Sequence, residues 1–353
     1  MDQDVASTPA ETPVTVATPA PRAATRGVVG VLRWIAGRRL SGLLGAIVLT
    51  MLAFQAMNSY FLEPGNLLNL VRSATTLAII GFGETLVLLT GEIDLSVGST
   101  YGFTSMAIGL MWSGGVPIAV AIIVGIAFGA AVGVVNGLIT TKLRVNSFIT
   151  TLGMLNVIEG LTFLISGSLS LNPSTNQPGY DIFEAFGGAT LPFGIPVQIA
   201  WLALVGVLAW VFVHRTLLGF QLAAIGGNPV AAKVVHLRID ASKILVFAIS
   251  GMCAALAGLM DFSFVGSTGP TSGTSLPFTV FAAVIIGGAS LAGGRGTIIG
   301  TLVGALFLST ITTGLALLGE GAFVQLLMVG FIIIAAVALD NWTSGRAGQG
   351  TQF

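Results

Sequence analysis

Residues 77–112 read LAIIGFGETLVLLTGEIDLSVGSTYGFTSMAIGLMW. Two long apolar runs flank one short polar segment, GEIDLSVGS at 91–99. Each run approaches the roughly 20 residues that an α-helix needs to cross a hydrocarbon core about 30 Å thick. The rest of the chain follows suit, with 54% hydrophobic and 8% charged residues among 353, against roughly 25% charged in an ordinary soluble domain. The composition therefore predicts an all-α, polytopic membrane protein with about ten transmembrane helices.

Working outward from that stretch, apolar runs predict spans near 40–57, 73–90, 97–112, 117–140, 147–166, 197–214, 243–263, 277–291, 297–318 and 322–339. Residues 1–39 form an N-terminal tail and flank whose Pro, Thr and Ala repeats cannot bury enough surface to order. Residues 40–340 form the membrane domain and 341–353 a C-terminal tail. Lys and Arg collect on cytoplasmic flanks. With the N-terminus inside, all of the 14 basic residues except Arg72 fall inside. Both termini and the connection near 215–242 are then cytoplasmic, and the 167–196 connection is external.

Several classes are excluded or disfavoured. The net charge is zero, so no field points to nucleic acid. No G-x-x-x-x-G-K-[ST] stretch occurs, so the chain is not its own P-loop ATPase. His214 and His236 lack partners at ligand spacing, and no metal site is expected. Cys253, the one cysteine, sits in an apolar run as a small core residue.

Glycine occurs 48 times, partly in rows. Gly125, Gly129, Gly133 and Gly137 recur every fourth residue, as do Gly296, Gly300 and Gly304. Such rows let helix backbones approach closely, within one chain or across a dimer. The stretches 75–111 and 277–313 share the order helix, Gly-rich break, helix, which is the trace that an internal parallel repeat would leave.

Polar breaks within apolar sequence are candidate sites, because unsatisfied backbone in lipid costs several kcal/mol per group and persists only beside protein or a water-filled cavity. In the first break Glu92 and Asp94 stand with Ser96 and Ser99 and no basic residue nearby in sequence. Asp94 reads as a cap on the next helix, as a pathway residue, or as both. The second break, near Asn146, opens a span with Ser147, Thr150 and Thr151. These seven, Asp94, Ser96, Ser99, Asn146, Ser147, Thr150 and Thr151, are the expected lining of a polar translocation pathway. Glu84, Glu159 and Asp261 are further acids within or at the edge of spans, of functional or packing role.

At these residues the chain resembles the permease subunits of ribose- and xylose-type ABC sugar importers. Residues 91–99 are similar to that family's IDLSVGS segment and residues 148–153, FITTLG, to its FIxTLG segment. AIGGNPVAA at 224–232 resembles its cytoplasmic GxN-x-x-AA loop, and IIGGASLAGGRGTIIGTLVG at 285–304 its late Gly-rich segment. The resemblance implies a permease that imports a monosaccharide, a pentose or hexose. It implies a second permease copy, cytoplasmic ATP-binding subunits that bind ATP and Mg, and an extracytoplasmic sugar-binding protein. No cofactor is implied in this chain, and membrane lipid surrounds it. Gly226, Gly227, Asn228, Ala231 and Ala232 are then expected to contact the ATPase, with Asn228 capping a short helix and Pro229 in its first turn. An ion-coupled secondary transporter is the competing reading, since membrane acids such as Glu84 and Glu159 can carry protons. An intramembrane enzyme finds no paired acids, metal site or activated nucleophile here.

Overall fold

The computed structural model describes residues 38–348. Residues 1–37 and 349–353, with most of the expected N-terminal tail and the end of the C-terminal one, lie outside the described residues.

The chain runs α1 (Arg38–Met57), α2 (Pro64–Leu89), α3 (Val97–Ser113), α4 (Ile118–Lys142), α5 (Ser147–Ser166) and a short α6 (Tyr180–Gly187). A two-residue hairpin, β1 (Thr190–Leu191) with β2 (Ile195–Pro196), precedes α7 (Val197–Arg215). Then come α8 (Leu217–Gly227), α9 (Pro229–Val234), α10 (Ile239–Val265), α11 (Leu276–Ile286), α12 (Ile298–Leu317) and α13 (Ala322–Gly348). Seven of these helices, α1, α2, α4, α5, α7, α10 and α12, are long and apolar enough to cross a membrane.

Several spans differ from the sequence expectation. α2 begins at Pro64, not near 73, because a proline without an N–H suits the first turn. Arg72 thus lies within α2, its guanidinium 4.4 Å from the centre of the Phe264 ring. α11 stops at Ile286 instead of 291, where Gly288 takes φ 100°. Its 11 residues reach only about 16 Å, half a hydrocarbon core. α13 continues to Gly348, so the first part of the expected C-terminal tail is helical.

α2 is the central helix, with 83% of its apolar window buried, while α1 and α7 are peripheral at 6%. α10 crosses α2 where Gly83 meets the Ser250 backbone, and both glycine rows close contacts inside the chain. On α4, a Cβ at Gly129 would stand 2.5 Å from the Gly251 carbonyl, and one at Gly137 would stand 2.6 Å from Ile244 Cα. On α12, Gly300 and Gly304 meet Gly287 and Ala283. Lipid gives no hydrophobic drive for helix association, so this close approach supplies dispersion contact instead.

One end of the bundle carries Lys142 at the close of α4, Arg215 at the close of α7, and Lys243 in the first turns of α10. The 91–96 segment is anchored there, because Lys243 Nζ pairs with Glu92 Oε1. The sequence showed no basic residue beside Glu92, and α10 brings one from 151 positions away. Lys142 pairs with Asp240 at 2.6 Å.

Candidate functional site

The first break climbs back into the bundle instead of forming a surface turn. Gly91, at φ 78°, turns the chain out of α2. Ile93 is then held by the first turns of α5: its N–H donates to Ser147 Oγ (3.2 Å), and Thr151 Oγ1 donates to its carbonyl (3.3 Å). The Asp94 N–H donates to Glu84 Oε1 at 3.2 Å, which sets the break beside the interior of α2. Asp94 Oδ1 accepts from Ser96 N (3.0 Å) and Ser96 Oγ (2.6 Å), and Asn136 Nδ2 of α4 donates to Ser96 Oγ at 2.8 Å. Glu84, Asp94, Ser96 and Asn136 are all at most 2% exposed, so they form a sealed polar joint. Within it Glu84 Oε2 and Asn136 Oδ1 have no partner.

α3 therefore starts deep in the bundle. Tyr101 packs its backbone on Gly258, about 28 Å along α10 from Ile239 at 1.5 Å per residue. Its hydroxyl donates to Asp261 Oδ2 at 2.7 Å, and Thr76 Oγ1 of α2 donates to Oδ1 at 2.7 Å. Asp261 thus joins α2, α3 and α10 through side-chain bonds.

A second non-helical stretch, residues 266–275, descends from the end of α10 to meet the first turns of α3. The bare backbones of Gly98 and Gly102 lie against Gly273 and Ser272, with Pro277 of α11 also on Gly98. Beside this junction Ser99, Leu155, Glu159, Thr162, Pro270, Ser272 and Thr274 enclose a crevice of about 10 Å³, room for roughly one water.

The third break, residues 287–297, returns to the basic end. Gly294 N–H donates to the Leu89 carbonyl at 3.0 Å. Gly293 and Gly294, at φ 83° and 74°, let this backbone lie on Gly91, Gly226 and Gly227. Thr85 and Thr301 hydroxyls meet at 2.6 Å nearby.

The sequence-predicted pathway residues do not share one place. Asp94, Ser96, Ser147 and Thr151 are buried and bonded to the first break. Asn146 is exposed and caps α5, accepting from Phe148 N at 2.9 Å. Ser99 alone reaches the crevice, while Thr150 is buried with an unpartnered hydroxyl. Glu159, which the sequence left outside the seven expected pathway residues, lines the crevice; its position three before Thr162 on one helix face was the available signal.

The predicted coupling residues separate as well. Asn228 Oδ1 accepts from Ala231 N at 2.9 Å with Pro229 at the first position of α9, as the sequence predicts. Gly227, Asn228 and Ala231 are exposed, whereas Gly226 and Ala232 are buried in the chain's own packing. Exposed Val230, Val234 and Val235 extend this surface.

Residues 66–337 match the family model described as the permease component of a branched-chain amino acid transport system. The chain belongs to this family. As a permease component it is a transport protein and not a catalytic one. The permease is 40% identical over 304 residues to the ribose import permease protein RbsC of Bacillus subtilis (strain 168), covering 86% of this chain and 93% of that one. It is 36% identical to the ribose import permease protein RbsC of Escherichia coli (strain K12), over 84% of this chain and 92% of that one. The fructose import permease protein FrcC of Rhizobium meliloti is 33% identical, over 84% and 83%. No solved structure matches the permease with comparable significance.

Proposed function

We propose that the chain is the membrane-spanning subunit of an ATP-driven, binding-protein-dependent importer that carries a monosaccharide, a pentose or hexose, into the cell. The observation that carries this reading is the meeting of two broken-helix stretches deep within the bundle, where hydroxyls from α3, α5 and residues 266–275 converge. Discontinuous helices near the bilayer midplane are where transporters bind solutes, and hydroxyl chemistry suits an uncharged polyol. The relatives named for ribose and fructose import support the substrate class.

The basic end faces the cytoplasm, by the placement of Lys and Arg. There α9 offers Ala231, with Val230 and Val234, to a cytoplasmic ATPase subunit that binds ATP and Mg. Gly226 acts one step behind, joining that loop to both inner breaks through Leu89 and Gly294. A second permease copy and an external sugar-binding protein complete the assembly.

The test is reconstitution in proteoliposomes with a partner ATPase subunit and a sugar-binding protein. ATP-dependent accumulation of one radiolabelled pentose or hexose is expected. Accumulation driven by a proton or sodium gradient without the ATPase overturns the reading.

A further inference from the structure

We infer that Glu159 is the mid-membrane contact for the transported solute, and that its crevice, lined also by Ser99, Thr162, Ser272 and Thr274, is an acceptor-rich site for a neutral polyol, closed in this structure. The inference rests on the transport reading above and adds a residue and a chemistry to it.

Hydroxyl bookkeeping sets that chemistry. Ser99 Oγ donates to the Ser96 carbonyl (3.0 Å), Thr162 Oγ1 to Ile158 (2.8 Å) and Thr274 Oγ1 to Thr271 (2.8 Å). Each hydroxyl has one proton, so these three present only lone pairs to the crevice. Ser272 Oγ accepts from Gly269 N at 3.0 Å and keeps its own proton. Glu159 adds a carboxylate that takes part in neither ion pair of the described residues. A carboxylate within a membrane span is costly and faces a polar interior when it is retained. The ligand that fits supplies several donors and no negative charge, as the hydroxyls of a sugar do. A carboxyl group brings two oxygens where a hydroxyl brings one, so Glu159 is the richest acceptor in the crevice.

The crevice has about 10 Å³, so a sugar enters only after a wall moves. The α3 wall and the 266–275 wall are held together by bare-backbone contacts at Gly98, Gly102 and Gly273. α5, which carries Glu159 and Thr162, has only 22% of its window buried and exposes Ile149, Val157 and Leu164 on its other side. Opening is therefore displacement of α5 from α3.

Two arms test this in the reconstituted full complex. In the first, Glu159→Gln preserves size and removes the charge. Uptake is expected to fall about tenfold or more, the scale of a lost charge-assisted hydrogen bond, while ATPase activity stimulated by loaded binding protein persists. Uptake within twofold of the parent overturns the inference. A parent complex that takes up no sugar instead overturns the transport reading on which the inference rests, and the second arm decides where Glu159→Gln fails to assemble. In that arm Ser272→Cys is placed in a Cys253→Ala background and exposed to a small charged methanethiosulfonate. Modification at least several-fold faster during ATP turnover than at rest is expected. Equal rates with and without turnover overturn the inference, even where Glu159→Gln fails to assemble.

Discussion

Lys243, in the first turns of α10, pairs with Glu92 at the mouth of the first break. Side-chain exposures of 20% and 13% place the pair between the surface and buried regimes. It connects the polar break to α10, the helix that follows α9.

Breaking this pair is expected to destabilise the folded permease by about 1–3 kcal/mol, above a surface pair and below a fully buried one. Lys243→Met and Glu92→Gln each lower the melting temperature in detergent, and the double variant recovers part of the loss. Full additivity in that cycle would rule out direct coupling.

Gly133→Leu is expected to abolish most folded yield, because a side chain there runs into the Phe247 carbonyl and Ala248 Cα. Overpacking costs about 1–3 kcal/mol even at tolerant sites. Gly160→Ala, with nothing within 4 Å, serves as the control. It retains or raises yield through helix propensity. Fluorescence-detected size exclusion reads both.

Asp94→Ala removes the acceptor of two bonds from Ser96. A loss of about 1–3 kcal/mol per buried group left unsatisfied is expected, seen as reduced yield with transport per folded complex within twofold. Impaired transport at normal yield would instead make Asp94 a pathway residue.

At the loop proposed to contact the ATPase, Ala231→Arg is expected to retain membrane yield and to lose ATP-driven uptake, because Ala231 is exposed on α9. Gly226→Val is expected to lose yield, since Gly226 lies against Leu89 and Gly294. Normal uptake by Ala231→Arg would exclude α9 from the ATPase contact.

Orientation is read by labelling in a Cys253→Ala background. Cysteine introduced by Ser174→Cys should react with an impermeant reagent added outside, and cysteine introduced by Ala231→Cys only from the cytoplasmic face. The reverse pattern would invert the bundle.

The sequence by itself determined the all-α membrane class, the apolar runs, and the cap at Asn228. Apolar length and the bond from the Ala231 N–H to the Asn228 side chain three residues before it are local, so they are legible without a partner element. It also marked the glycine rows, though not what they meet. Only tertiary structure decided that Lys243 reaches Glu92, that Asp261 joins α2 and α3, that Gly226 is interior, and that Glu159 faces a polar crevice. The reason is the solvent. In lipid a helix is apolar all around, so no amphipathic stripe tells which face is buried. The register of one helix against another then follows from close packing and from satisfying scattered polar groups, and both depend on contacts 50 to more than 150 residues apart.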